Sequence, residues 1–326
     1  MRHPWRPAEL LRPGRDEGPT SHHTVVRQAT VTPSMSGFNA QLYARIGDWT
    51  WDAVSSVCST DVLTARTESG DPTYLAFYYF HAQSTGAVHP YRFSFGDRID
   101  VVSGVFAAGG DSTLTLHRLS PAGAVDPGAF HWREFYGEPR PDCLYVENFN
   151  RWIARSAPGR NRGLERSAPH DFTHEHLPTV PRQYYAPRLC VAARGSGTFR
   201  RHDTDHRPVV KGYTVRRPVD LARDFNPVGL MYFASYFSVV DSALWELWRV
   251  LGRDSATFLG RRIGDQKINY VGNVDPDDTL DVTLTLRQSR TEPLDELLDA
   301  VVRVDGRLIA VSTIAYRRPA PDPGGP

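Results

Sequence analysis

The chain has 326 residues, is 40% hydrophobic and 23% charged, and carries a formal net charge of +1. That apolar content is enough for one large core or two smaller ones, and the near balance of charge gives no electrostatic footprint for nucleic acid or an anionic membrane. The three cysteines, Cys58, Cys143 and Cys190, are odd in number and far apart, which argues against a disulfide framework or a zinc knuckle.

The first 30 residues read as a flexible arm, rich in Pro and Arg near the start and without the apolar stretch of a secretory signal. No apolar run approaches the ~20 residues a membrane span needs, so a cytoplasmic protein is expected. Residues 37–57 are a helix candidate carrying Ile46, Trp49, Trp51 and Val54. Strands are expected over 73–83, 99–107 and 113–119. Residues 144–154 form a compact apolar-aromatic element in an otherwise irregular middle. The His170–His176 run (HDFTHEH) lies in a polar, Pro-flanked loop, and no ligand cluster or bound metal is expected from it. Arg194-Gly-Ser-Gly197 reads as a flexible joint, placing a boundary near residue 195.

Beyond it the same order of parts recurs more clearly. Asn226-Pro-Val-Gly-Leu-Met-Tyr-Phe leads into a helix that Gly252 closes as a C′ glycine. The helix is apolar nearly all round, so other structure must wrap it. Strands follow over 264–274, 279–287, 300–304 and 308–317, the last two joined by the hairpin signal Asp305-Gly306. The sequence around Phe95–Val101 echoes Pro276–Val282 at a matching place after each helix. The resulting plan is an arm over 1–30, one repeat over 31–195 with an irregular insertion, a second over 196–318, and a disordered tail over 319–326.

A long helix wrapped by an antiparallel sheet, present twice, is an α+β double hot-dog. The stretch containing Asn226, Gly229-Leu230, Tyr236 and Asp241 resembles the signature of hot-dog acyl-CoA thioesterases. In that family a carboxylate stands where Asn226 stands here, and a His where Leu230 does. Asn is not a base near neutral pH, which argues against simple thioester hydrolysis. Free amides at a helix N-terminus favour developing negative charge, so Gly229 and the Leu230 amide are candidates for holding a thioester oxygen. In the first repeat Ser34, Ser36, Gly37 and Asn39 occupy the matching lead-in. Both lead-ins are thus expected to be neutral and polar, a setting that does not repel a malonyl-type acyl group.

The strand Pro72-Thr-Tyr-Leu-Ala-Phe-Tyr-Tyr-Phe-His81 carries three tyrosines, and simple alternation puts Tyr74 with Tyr78 on one face and Tyr79 with His81 on the other. Together with the helix SGFNAQLYARIGDWTW, the element VENFNRWI and the helix FNPVGLMYFASYF, this strand is similar to the bifunctional acyltransferase/decarboxylases of the leinamycin polyketide type. The resemblance spans residues 31–318 and implies that methylmalonyl-CoA acylates a tyrosine and loses carbon dioxide. The propionyl group then passes to the phosphopantetheine thiol of an acyl carrier protein. It implies acyl-CoA as substrate and the carrier's phosphopantetheine as acceptor, with no bound cofactor. Tyr74 is the first choice for the acylated residue, then Tyr78 and Tyr79, with Asn39 as a stabiliser. Asn148 and Asn150 are candidates to bind a carboxylate or the pantetheine amides. A dehydratase or hydratase of the same fold needs a His at the active helix, and neither lead-in has one; a carrier-binding scaffold without catalysis is the other alternative. A homodimer is open, since hot-dog units commonly pair.

Overall fold

The computed structural model describes residues 22–38, 40–126, 128, 130–155, 161, 163–200 and 203–319. In chain order the elements are β1 (Thr24–Thr30), α1 (Gln41–Cys58), β2 (Tyr74–Ser84), β3 (Arg98–Ala107), β4 (Ser112–Pro121), α2 (Trp132–Tyr136), β5 (Leu144–Arg155), β6 (Leu164–Arg166) and α3 (Ala186–Ser196). There follow β7 (His206–Pro218), α4 (Leu221–Asp224), α5 (Ser235–Val250), α6 (Ser255–Leu259), β8 (Arg262–Tyr270), β9 (Thr279–Ser289), β10 (Asp295–Val304) and β11 (Arg307–Arg317).

The strands form one antiparallel sheet in the order β1-β3-β4-β5-β2-β8-β11-β10-β9-β7, with β6 paired to β5. Read outward from the β2–β8 seam, each half has the same order of strands, so the chain is two copies of one unit joined edge to edge. The seam pairs Tyr79 with Asn269 through Gln83 with Asp265. Each unit wraps a central helix, α1 or α5, which is the double hot-dog plan that the sequence pattern predicts. No helix among the described residues is long and apolar enough to cross a membrane.

The helices form where the apolar spacing puts them. In α1, Leu42, Tyr43, Ile46, Trp49, Ala53 and Val54 are buried on one broad face. In α5, Tyr236, Phe237, Val240, Leu244, Leu247 and Trp248 are buried, each contributing roughly 1.5–3 kcal/mol of hydrophobic stabilisation. Both helices share one core with Phe77, Phe80 and Phe233. The other face of the first sheet packs a second cluster, including Tyr79, Phe106, Phe135, Tyr145 and Cys190, under α2 and α3. Asp305 and Gly306 both have positive φ (49° and 78°), the backbone of the expected tight hairpin between β10 and β11.

Two boundaries differ from the sequence plan. Thr24–Thr30 is not arm but strand, paired with Arg98–Gly104 of β3; residues 1–21 lie outside the described residues. The Gly-Ser-Gly joint near residue 195 is instead the C-terminal turn of α3, ended by Gly197 at φ 73°. The tail from residue 320 onward also lies outside the described residues.

Candidate active site

The loop leading into α5 is the centre of the site. Its residues were expected to be the first turn of the helix, but α5 begins only at Ser235. Residues 225–232 fold into a tight loop first, with the Phe225–Met231 bridge, the Asn226 amide on the Leu230 carbonyl, and the Gly229 amide on the Asn226 carbonyl. Gly229 adopts φ 75°, which a side chain disfavours, and a Cβ there would stand 3.3 Å from the Arg155 guanidinium. Its glycine is therefore required by the turn itself.

Asn226 joins this loop to the first repeat. Its Oδ1 accepts from the Leu230 amide at 3.0 Å, which fixes the side-chain orientation and turns Nδ2 toward Tyr74. Nδ2 then donates to the Tyr74 hydroxyl oxygen at 3.2 Å. Because Asn226 donates, the Tyr74 hydroxyl keeps its own proton for another acceptor. The Leu230 amide is engaged with Asn226, and the Leu230 side chain is buried, so neither matches the free oxyanion donor expected of a helix tip. The loop is further tied down by Asn273 Oδ1 accepting from the Met231 amide at 2.9 Å and by Asn161 donating to the Gly229 carbonyl at 2.7 Å.

Tyr74 stands at the start of β2, beyond the end of the β8 pairing, with its ring edge-on to Trp51 at 5.3 Å. Trp51 is held by its indole N–H on the Leu75 carbonyl at 3.0 Å. Burial, together with the neighbouring Tyr232, holds Tyr74 well above the usual phenol range, partly offset by the Asn226 hydrogen bond. Tyr74 is thus a neutral phenol at ordinary pH, a donor waiting for an acceptor.

The expectation of a carboxylate-free site is corrected by α1. Ala44, Asp48 and Trp51 fall four and three residues apart on one helix face. The Ala44 backbone carbonyl accepts from the Tyr232 hydroxyl at 3.5 Å and Trp51 touches Tyr74, and Asp48 lies between them in sequence on the same helix. Its charge contributes to the upward shifts of both Tyr74 and Tyr232. Asp48 is half exposed and raised above the usual carboxylate value by burial, with Arg45 at 3.3 Å opposing that shift.

The lead-in to α1 also meets an acid. Gly37 lines a narrow crevice with Tyr43, Tyr91, Phe237 and Asp241. Asp241 accepts from the Tyr91 hydroxyl at 2.9 Å and pairs with the fully buried Arg261 at 3.3 Å. That acid is occupied by structural partners, whereas Asp48 is not so enclosed. Ser34 bonds Thr32, and Ser36 donates to the Pro33 carbonyl, so both serve their own turn. Asn39 lies outside the described residues. The sequence did carry a signal for both acids: Tyr43 precedes Asp48 by five residues, as Tyr236 precedes Asp241.

The other tyrosines go elsewhere. A register shift between Phe77 and Tyr79 breaks the simple alternation of β2. Phe77 and Phe80 enter the helix-side core, while Tyr78 and Tyr79 both join the opposite cluster. The Tyr78 ring lies under the Arg151 guanidinium at 3.6 Å, and Tyr78 does not accompany Tyr74. Asn148 and Asn150 are fully buried on the α1 side of β5. The His170–His176 loop is pinned by His170 on the Arg66 carbonyl and His176 on the Val57 carbonyl.

The site is therefore a phenol from one repeat and an amide from the other, with a carboxylate and two aromatic rings around them. It can hold and protonate an oxygen or carbon that gains negative charge.

Residues 26–201 match the family described as the LnmK N-terminal Hot Dog Fold domain. No curated protein matches the chain. Among solved structures, the 12:0-ACP thioesterase from Umbellularia californica is similar with a TM-score of 0.59 at 10% identity, covering 91% of this chain and 94% of that one. A putative oleoyl thioesterase from Lactobacillus plantarum gives 0.57 at 12% identity, covering 91% and 96%. An acyl-ACP thioesterase from Bacteroides thetaiotaomicron gives 0.51 at 11% identity, covering 91% and 100%. At such identities these three likenesses speak for the fold.

Proposed function

The chain belongs to the family of the LnmK N-terminal hot-dog domain, and from that membership and the site's geometry we propose that it is a decarboxylating acyltransferase. It takes methylmalonyl-CoA, releases carbon dioxide, and loads propionyl on the phosphopantetheine of an acyl carrier protein. The similar structures named for acyl-ACP substrates support a thioester as the substrate class.

The observation that carries this reading is the Asn226–Tyr74 hydrogen bond across the two repeats. A phenol held above its usual range cannot begin as a nucleophile. Decarboxylation solves that problem. Loss of carbon dioxide leaves an enolate, and Tyr74 gives its proton to the α-carbon. The resulting phenolate, stabilised by the Asn226 amide, attacks the thioester carbonyl and expels the CoA thiolate. The pantetheine thiol then attacks the tyrosyl ester, the propionyl group moves to sulfur, and the proton returns to Tyr74.

Asp48 favours a second reading, in which it acts as general base for water and the product is free acid. Incubation with methylmalonyl-CoA and a phosphopantetheinylated carrier separates the two. Propionyl-carrier observed by mass spectrometry, with a transient acyl ester on the enzyme, is the expected result. Free acid formed at the same rate without carrier, and abolished by Asp48→Asn, would establish hydrolysis instead. Carrier binding without turnover would leave a scaffold.

A further inference from the structure

Beneath α1 the first repeat buries a stripe of polar side chains: Ser103 on β3, Thr113, Thr115 and His117 on β4, and Asn148 and Asn150 on β5. The ladders set Asn150 opposite Thr113, Asn148 opposite Thr115, and His117 opposite Ser103, so all share the face that α1 covers. Thr50 of α1 reaches down to accept from Asn148 at 2.6 Å and to bond His117 at 2.9 Å. Both amide atoms of Asn150, the Asn148 Oδ1 and the hydroxyls of Thr113 and Thr115 have no protein hydrogen-bond partner. Each such buried group costs about 1–3 kcal/mol.

The fold does not demand that cost, because the second repeat provides an internal control. At the corresponding places under α5 stand Leu286 on β9, Leu298, Ala300 and Val302 on β10, and Ala310 on β11. Ser312, the counterpart of Asn148, donates to the Lys267 carbonyl and is satisfied. Among these matching places the unpartnered polar groups fall in one copy, the copy that carries Tyr74.

A chain of ring contacts links Tyr74 to this stripe. Between the two helices the way is filled by Phe233, whose ring lies so close on Gly47 that an added Cβ would stand 2.4 Å from it. The same ring stacks on Phe77 at 3.8 Å. Phe77 is the cross-strand partner of Asn150 and neighbours Trp51, the residue against Tyr74. With the space between the helices filled by Phe233, Phe77 and Trp51 stand between Tyr74 and the edge of the stripe at Asn150.

We propose that this stripe holds the carboxyl group of an acidic acyl thioester while it departs as carbon dioxide, an assignment that rests on the function proposed above. The bond between the carboxyl carbon and the α-carbon breaks. Its electron pair stays with the α-carbon and thioester oxygen, near Tyr74, and takes up the Tyr74 proton. The Asn150 amide and the threonine hydroxyls orient the carboxylate. His117, bonded to Ser103 and Thr50, is pushed down to about 3 by burial and by Arg27, so it remains neutral. With the stripe itself uncharged, the neutral product is favoured over the anion as the bond breaks.

The test compares methylmalonyl-CoA with propionyl-CoA as donors to a phosphopantetheinylated carrier. Asn150→Leu, and Thr115→Val as the gentler isosteric change, should each lower the methylmalonyl-to-propionyl rate ratio by roughly tenfold or more, the scale of a lost hydrogen bond to a charged group. Asn150→Leu should also raise the melting temperature, since it removes an unsatisfied amide. An unchanged ratio in both folded variants overturns the assignment while leaving the function standing. Failure of the wild-type chain to decarboxylate methylmalonyl-CoA overturns the function and the assignment with it.

Discussion

At the scale of single residues, the chemistry rests on one phenol and one amide whose partners come from opposite halves of the chain. Tyr74→Phe should abolish the acyl-enzyme species seen by intact mass spectrometry while leaving the melting temperature close to wild type, because the hydroxyl makes one half-buried hydrogen bond. Persistent labelling of that variant would move the nucleophile away from Tyr74. Phe233→Ala removes the ring seated on Gly47 and should shift acyl-CoA preference toward longer chains, at a cost of about 3–5 kcal/mol in stability. Its check is CoA release measured across C3 to C10 donors on protein confirmed folded by circular dichroism. Tyr74 and Asn226 were legible as residue types at motif positions. Asp48 was readable only as a spacing from Tyr43, and the engagement of the Leu230 amide was not readable at all. A hydrogen bond from Leu230 to its own loop depends on backbone turns that one-dimensional spacing does not encode.

Among elements, the β2–β8 seam carries a titration. On it His81 Nε2 lies 2.8 Å from Asp265, its Nδ1 lies 3.6 Å from Glu147, and Lys267 also contacts Asp265. Burial and Lys267 would lower His81, yet the two carboxylates win and raise it above 6.5. Burial would raise Asp265, but His81 and Lys267 pull it below its ordinary 3.8. The His81 contribution is therefore full below 6.5 and is lost as pH rises through its elevated folded value. The Asp265 contribution is full above 3.8 and fades as pH falls toward its depressed folded value. Thermal stability should accordingly peak between those limits and decline on the alkaline side, and His81→Gln should flatten that decline in melting scans from pH 5 to 9. A decline of equal slope in the variant would remove His81 from the account. The same strand shows why element-level prediction erred. Its existence follows from β-branched and aromatic content, but the bulge at Tyr78 arises from pairing with β5 and moves two tyrosines to one side. Likewise the run from Asn226 to Ala234 is apolar enough to look helical, yet its amides are spent on a loop braced by Asn161 and Asn273.

For the whole molecule, the family match ends near residue 201, but the site does not. Cutting the chain there separates Tyr74 from Asn226, strips β2 of β8, and opens a core that α1 shares with Phe233 and Phe237. The first repeat alone should be poorly soluble and unable to form the acyl-enzyme, and coexpression with the second repeat should restore both; a soluble, self-acylating fragment would refute that. What the sequence by itself determined is local: two amphipathic or wrapped helices, the period of each strand, the Asp305-Gly306 turn, and a doubled order of parts. These follow from side-chain periodicity and turn chemistry, which act over a few residues. What only the tertiary structure decided is which residues meet. The pairing of Tyr74 with Asn226 spans 152 positions. The direction of Asp48 toward that pair depends on packing one repeat against the other, and the unpartnered polar stripe under α1 depends on packing that helix on its own sheet. Such contacts are set by burial and register across the sheet, quantities that no stretch of the chain holds alone.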